Sequence, residues 1–155
     1  MATLTSAQTP LSSDEAVILA MHNEERAAVG VPPMRWDRRL AEDAQRWAEQ
    51  VAREGVLRHS AAIDGKSGEN LWLGTGEVHD SRAMVNDWAS ERRYYRPGRF
   101  PHVSATGDWG DVAHYTQMVW IDTRRVGCGI ANGERHTVLV CRYREPGNII
   151  GRRPI

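Results

Sequence analysis

The sequence predicts a single α+β domain in which helices come first and strands come mostly last. Capped or amphipathic stretches in the first half predict helices, and two β-rich runs around a turn near the end predict a hairpin. The chain has 155 residues, of which 41% are apolar and 26% charged, as in one ordinary globular domain. Residues 1–11 predict a flexible lead, and residues 12–155 predict the folded domain.

The first two helices are predicted from their ends and from their apolar spacing. Ser12 and Glu15 fit a capping box, so the first helix begins there and stops at Gly30. Asp37 is a good N-cap for the second helix, which Gly55 ends. The apolar positions of the second helix recur as one helical face: Leu40, Ala44, Trp47, Ala48 and Val51.

The middle of the chain predicts a short strand and two further helices. Residues 56–80 are irregular and rich in glycine, with a strand expected around Asn70–Leu73. A third helix is predicted from Asp80 or Ser81 to about Tyr95, followed by a loop with several prolines and glycines. A fourth, shorter helix is predicted over about Val112–Val119.

The hairpin near the end contains both cysteines of the chain. The turn signal Asn132-Gly133 separates its two strands, so Cys128 and Cys141 are expected side by side. A disulfide closing a loop of this size contributes about 3 kcal/mol and indicates a secreted or periplasmic protein. The alternative is two reduced cysteines packed as small apolar residues. The predicted strands are Val126–Ala131 and Thr137–Tyr143.

Charge and hydropathy argue against two classes of protein. The 20 basic residues are matched by 20 acidic residues, whereas a nucleic-acid-binding domain normally has a basic excess. No apolar run approaches the ~18 residues that a membrane span requires. Met1–Pro10 lacks the layout of a signal peptide, so either the protein is cytosolic or an initiator Met has replaced the signal.

The third helix carries a carboxylate where an apolar side chain is expected. Glu91 shares one helical face with Met84, Trp88 and Tyr95. A carboxylate on an apolar face must be paired, hydrogen-bonded or exposed to a wet cavity. The alternative is a position at the edge of the face, where Glu91 extends into solvent or pairs with an arginine.

Three more polar residues are ambiguous from position alone. His114 on the fourth helix is either a ligand or a core histidine that a backbone carbonyl satisfies. His59 and Glu69 lie in the irregular stretch beside small residues. Loops that carry chemistry have this composition, and so do ordinary loops.

Several segments together resemble the CAP superfamily, also called the SCP domain, which includes cysteine-rich secretory proteins, insect venom allergens and plant pathogenesis-related proteins. The resemblance covers roughly residues 14–155. It rests on the segments His22–Arg26, Gly68–Leu71, Trp88–Glu91, His114–Trp120, Val126–Cys128, Cys141–Tyr143 and Pro146–Asn148.

The resemblance implies a three-layer α-β-α sandwich with a central antiparallel sheet. It also implies a cleft lined by His59, Glu69, Glu91 and His114. Two imidazoles suit a divalent ion such as Zn²⁺, with the carboxylates in support. His22, Asn23 and Arg26 correspond to a structural signature that holds the first helix to a loop.

A cleft with these four residues is compatible with three functions. The first is a secreted, monomeric binding protein that takes a divalent metal at His59 and His114 and whose target is a lipid, a sterol, or an extracellular protein or glycan. The second is a metal-assisted hydrolase with Glu69 or Glu91 as general base. The third is a scaffold in which the four residues form only a buried polar network. The arginine bias, with Lys66 as the only lysine, and the minimal cysteine count suggest a bacterial member.

Overall fold

The computed structural model describes residues 9–61, 65–76 and 79–155, so most of the predicted lead, residues 1–8, lies outside the described part. Two single-turn 3₁₀ helices, Glu91–Tyr94 and Trp109–Asp111, accompany the regular elements. In chain order these are α1 (Ser13–Ala28), β1 (Arg35–Trp36), α2 (Arg38–Glu54), β2 (Gly68–Thr75), α3 (Ser81–Ser90), α4 (Ala113–Val119), β3 (Arg125–Asn132) and β4 (His136–Arg144).

The four strands form one sheet in the order β1-β3-β4-β2. The pairs β3–β4 and β2–β4 are antiparallel, as the resemblance implies. The two-residue β1 pairs parallel with β3, so the sheet is mixed rather than purely antiparallel. A strand of two residues has no alternation of its own, which is why the sequence pattern did not predict it.

Helices cover both faces of this sheet, which confirms the α+β class and its three layers. Alternate residues of β4 divide between two apolar clusters. Val138 and Val140 pack against α2, whereas Leu139 and Tyr143 pack against α1, α3 and α4. On β3, a Cβ at Gly129 would lie 2.3 Å from a backbone atom of α2, so glycine lets this helix approach the sheet closely.

The predicted ends of α1 and α2 are confirmed. Ser12 and Glu15 form the reciprocal capping box of α1. The Asp37 carboxylate accepts from two backbone amides at the start of α2, and Gly55 ends that helix in the left-handed region with φ 68°. The predicted apolar face of α2 is buried against the sheet.

The predicted extent of the third helix was wrong. The α-helix ends at Ser90, and residues Glu91–Tyr94 form a tighter 3₁₀ turn. Tyr95 is extended and pairs with Ser104 in an isolated bridge. Pro97 follows closely, and a residue before proline favours extended backbone, so the chain leaves the helix before reaching it.

The predicted disulfide is confirmed, and the alternative of two free thiols is wrong. Cys128 of β3 and Cys141 of β4 lie directly opposite each other, and their sulfur atoms are bonded. The bond lies on the sheet face covered by α1, α3 and α4. Within the described residues, no helix is both long and apolar enough to cross a membrane.

Candidate functional site

The first half of the predicted cleft is a histidine beside a fully buried carboxylate. Glu69 of β2 accepts a hydrogen bond at Oε1 from the His59 Nδ1, 2.9 Å away. The Ser60 amide donates to the same oxygen at 3.1 Å, and the Arg142 Nε donates to Oε2 at 3.2 Å. The Glu69 side chain is 0% exposed, whereas the His59 side chain is 67% exposed. The carboxylate therefore acts inside the fold, and the imidazole faces solvent.

The contact with Glu69 changes the pKa of His59. The hydrogen bond from its ring to Glu69 raises the pKa of the imidazole, and burial opposes that rise. The loop that carries His59 is held to α2, because the Trp47 indole donates to the carbonyl of Arg58 at 3.2 Å.

The second histidine–glutamate pair joins the 3₁₀ turn after α3 to α4. Glu91 accepts from the His114 Nδ1 at 2.6 Å and from the Tyr115 amide at 3.0 Å, so both carboxylate oxygens are used. The His114 ring stacks on Trp88 with 5.8 Å between centroids and 13° between planes. Glu91 is thus hydrogen-bonded, as one of the interpretations of its apolar face required.

Both histidine–glutamate pairs are linked to β2, which is an edge strand of the described sheet. Glu69 points to the α2 side, as Leu71 does, and Asn70 points to the opposite side. The Asn70 amide donates to the backbone carbonyl of His114 at 3.1 Å. The pairs therefore approach the same edge from opposite faces of the sheet.

The donor atoms left at this edge are imidazole nitrogens. Each Nδ1 is occupied by a carboxylate, and among the described residues neither Nε2 of His59 nor of His114 has a hydrogen-bond partner. A carboxylate on one ring nitrogen is the usual way of orienting a histidine whose other nitrogen binds zinc. The described residues contain no group of three or more His, Cys, Asp or Glu side chains placed to hold a metal. The two Nε2 atoms are therefore the imidazole donors that remain open to a ligand.

The same contacts argue against Glu69 as a general base. A general base must reach the proton that it removes within hydrogen-bonding distance. Glu69 is buried and already accepts from three groups, and Glu91 accepts at both oxygens. The Glu69 carboxylate is therefore shielded from a substrate in the cleft, whereas the Glu91 side chain is 18% exposed and, among the described residues, keeps a free lone pair at each oxygen.

The residues of the predicted structural signature lie on one stretch of α1. The Asn23 side chain exchanges two hydrogen bonds with the backbone of Met34, at 3.1 Å and 2.8 Å, just before β1. The His22 ring bonds to the Ile18 carbonyl and to the Tyr143 hydroxyl, both at 2.8 Å. Burial lowers the pKa of His22 to about 4.

Arg26 is a buried cation that binds backbone rather than a carboxylate. Its guanidinium is 0% exposed and donates to the carbonyls of Pro32, Met118, Trp120 and Thr123 at 2.6–3.0 Å. Burial lowers its pKa to about 10, so it stays charged at neutral pH. Arg26 thereby ties the end of α1 to the end of α4.

Sequence reasoning gave no role to several residues that complete the two pairs. Arg142 had a usable signal in the sequence, because it is a charged residue that interrupts the apolar run of β4. In the structure it lies opposite Glu69 of β2. Asn70 and Trp88 were part of the recognised segments but carried no predicted contact. The Tyr115 amide is a backbone group, for which a sequence has no signal.

The chain matches the family model "CAP: Cysteine-rich secretory protein family" over residues 19–143. This match spans most of the chain, and the motifs that it contains include both histidine–glutamate pairs. The protein therefore belongs to the CAP family.

Similar proteins agree with this assignment. Pathogenesis-related protein 1C of Nicotiana tabacum is 41% identical over 138 residues, which are 88% of this chain and 77% of that protein. Pathogenesis-related leaf protein 6 of Solanum lycopersicum is 42% identical over 137 residues, or 88% of this chain and 80% of that protein. These relatives are plant proteins, so they do not support the expected bacterial source.

Solved structures show the same fold. The crystal structure of NaASP2 with Zn²⁺ has a TM-score of 0.75 at 22% identity, covering 96% of this chain and 88% of that one. BmVAL-1 has a TM-score of 0.74 at 22% identity, covering 99% of this chain and 86% of that one. At this identity the likeness establishes the fold.

Proposed function

We propose that this CAP-domain protein is secreted and binds a divalent cation, zinc, through the Nε2 atoms of His59 and His114. The observation that carries the proposal is that the two imidazole rings have the same hydrogen-bonding pattern. Each Nδ1 is held by a carboxylate, and each Nε2 is without a partner among the described residues. Neutral imidazole held in this way is a good ligand for zinc.

The two glutamates orient the ligands rather than bind the ion. Glu69 is fully buried, so it fixes His59 from beneath, and Glu91 fixes His114 together with the Trp88 ring. Zinc, when bound by two histidines, supplies a Lewis acid with open positions for an outside ligand. This arrangement favours a binding protein over a hydrolase that uses the buried Glu69 as its base.

Three observations support the functional setting. A disulfide joins β3 and β4, and disulfides persist in oxidising compartments. The pathogenesis-related relatives align with 88% of this chain, and the family model that the chain matches is described as secretory. NaASP2, a structural neighbour of the whole chain, was solved with Zn²⁺.

The test is calorimetric titration of zinc into metal-stripped protein at neutral pH. We expect saturation near about one ion per chain, and loss of the heat in the double variant His59→Ala/His114→Ala. His102→Ala is the matched control, because His102 is an exposed histidine on the loop after α3. It should bind zinc as the unmodified protein does.

Two outcomes contradict the proposal. If zinc gives no binding heat with the unmodified protein, the protein has no zinc site. If the binding heat persists in the double variant, zinc binds at other residues. Light scattering at the same zinc concentration should give the mass of a monomer, since a two-histidine site shared between chains would produce zinc-dependent dimers.

A further inference from the structure

A buried chain of hydrogen bonds leads from the core of the domain towards the cleft. The Ile18 carbonyl only accepts, so the His22 Nδ1 donates to it and the neutral ring keeps Nε2 as an acceptor. The Tyr143 hydroxyl therefore donates to this Nε2 at 2.8 Å. The hydroxyl oxygen is left to accept from the Asn70 Nδ2 at 3.1 Å. Each partner in the chain has only one possible role.

Asn70 connects this chain to a cleft histidine. Its Nδ2 carries two hydrogens, of which one reaches Tyr143 and the other reaches the backbone carbonyl of His114 at 3.1 Å. Asn70 is 3% exposed and Tyr143 is 0% exposed, so both are shielded from solvent water. A donor lost from such a place leaves an unpaired buried group.

The ring and the backbone of His114 are fixed by different residues. Glu91 and Trp88 set the orientation of the ring. The Asn70 amide holds the first turn of α4 against β2. Glu69, the neighbour of Asn70 on the same strand, holds His59. One strand therefore fixes both histidines, through adjacent residues that point to opposite faces.

We propose that Asn70, held by the Tyr143 hydroxyl, is a positioning residue that sets the distance between the His59 and His114 imidazoles. The inference rests on the proposed metal site and assigns the spacing of its two histidines to a buried residue that contacts His114 only at the backbone carbonyl. Residues that orient metal-bound histidines from behind contribute about tenfold or more to metal affinity.

The test is the isosteric variant Tyr143→Phe, compared with Tyr95→Phe. Tyr95 is a half-buried tyrosine whose ring packs on Tyr115, and its hydroxyl has no hydrogen-bond partner among the described residues. The zinc dissociation constant is measured by calorimetry. Long-range proton–nitrogen NMR spectra of the metal-free proteins report the two ring nitrogens of His114. Asn70→Ser replaces the side-chain amide, which donates to Tyr143 and His114, by a shorter hydroxyl, and the same two measurements are made on this variant.

We expect Tyr143→Phe and Asn70→Ser each to weaken zinc binding about tenfold and to shift the His114 ring nitrogens, with Tyr95→Phe unchanged. If Asn70 and Tyr143 were only structural, the variants would have a lower melting temperature but the same zinc dissociation constant and the same His114 nitrogen shifts. That result would overturn the inference. If the unmodified protein binds no zinc, the metal proposal fails. The metal-free spectra then still decide whether Asn70 positions His114.

Discussion

Acid should destabilise this protein through one buried histidine, His22. The ring is 0% exposed and its nitrogens are both engaged, with Ile18 and Tyr143. Protonation would give Nε2 a hydrogen facing the Tyr143 hydroxyl, which would then have to turn its own hydrogen away. Burial accordingly lowers the pKa of His22 from 6.5 to about 4 in the folded protein.

The sign and size of the effect follow from this difference in pKa. The unfolded chain binds a proton at His22 below about pH 6.5, whereas the folded protein does so only below about pH 4. The contribution of neutral His22 is fully present above the unfolded pKa and is lost as the pH falls through this window. A pKa difference of this size corresponds to about 3 kcal/mol, most of which is lost by about pH 4.5.

Urea unfolding, followed by tryptophan fluorescence at neutral pH and at about pH 4.5, measures this loss. His22→Gln removes the titrating group, so its free energy of unfolding should fall by about 2.5 kcal/mol less than that of the unmodified protein over this interval. His102→Gln, which changes an exposed histidine, should behave as the unmodified protein does. An equal loss in His22→Gln and the unmodified protein would refute the reasoning, because every other acid-titrating group is common to both.

Two further predictions concern the sheet. Cys128→Ala/Cys141→Ala opens a loop with a sequence separation of 13, so the free energy of unfolding in urea should fall by about 3 kcal/mol, and no loss would contradict this estimate. Gly129→Ala places a Cβ 2.3 Å from the Gln45 Cα and should cost about 3 kcal/mol by the same measurement. Gly110→Ala is the control, because its Cβ meets only the exposed carboxylate of Asp108, at 3.1 Å. Equal effects of the two substitutions would show that α2 shifts to make room for the added methyl group.

Local signals in the sequence were sufficient for the elements whose ends are set by nearby residues. The capping box of Ser12 and the N-cap Asp37 act within one turn of helix, so α1 and α2 were predicted with their ends. The disulfide was predicted because a hairpin brings Cys128 and Cys141 into register by local pairing. The end of α3 was not, because spacing alone does not reveal a change from an α-helix to a 3₁₀ turn.

The candidate site was predicted less well, because its pairings are distant in sequence. Glu91 could be flagged as a carboxylate on an apolar face, but its partner His114 is 23 residues away. Position alone left the roles of His59 and Glu69 open, and only the family resemblance grouped all four residues. Arg142 lies 73 residues from Glu69 and becomes its neighbour through the pairing of β2 with β4.

The candidate site lies beside an edge strand, and this position explains why buried residues of the core contribute to it. A strand inside a sheet has partners on both sides, whereas β2 uses one side for β4 and leaves its other side to α3 and α4. Trp88 donates to the Leu71 carbonyl at 3.3 Å, and Asn70 reaches the His114 carbonyl at 3.1 Å. The Trp88 indole thus takes one backbone acceptor of β2, and the Asn70 side chain ties the same strand to α4. Because Trp88 and Asn70 join β2 to α3 and α4 and also contact His114, changes at these two buried positions should alter zinc binding even though neither side chain binds the ion.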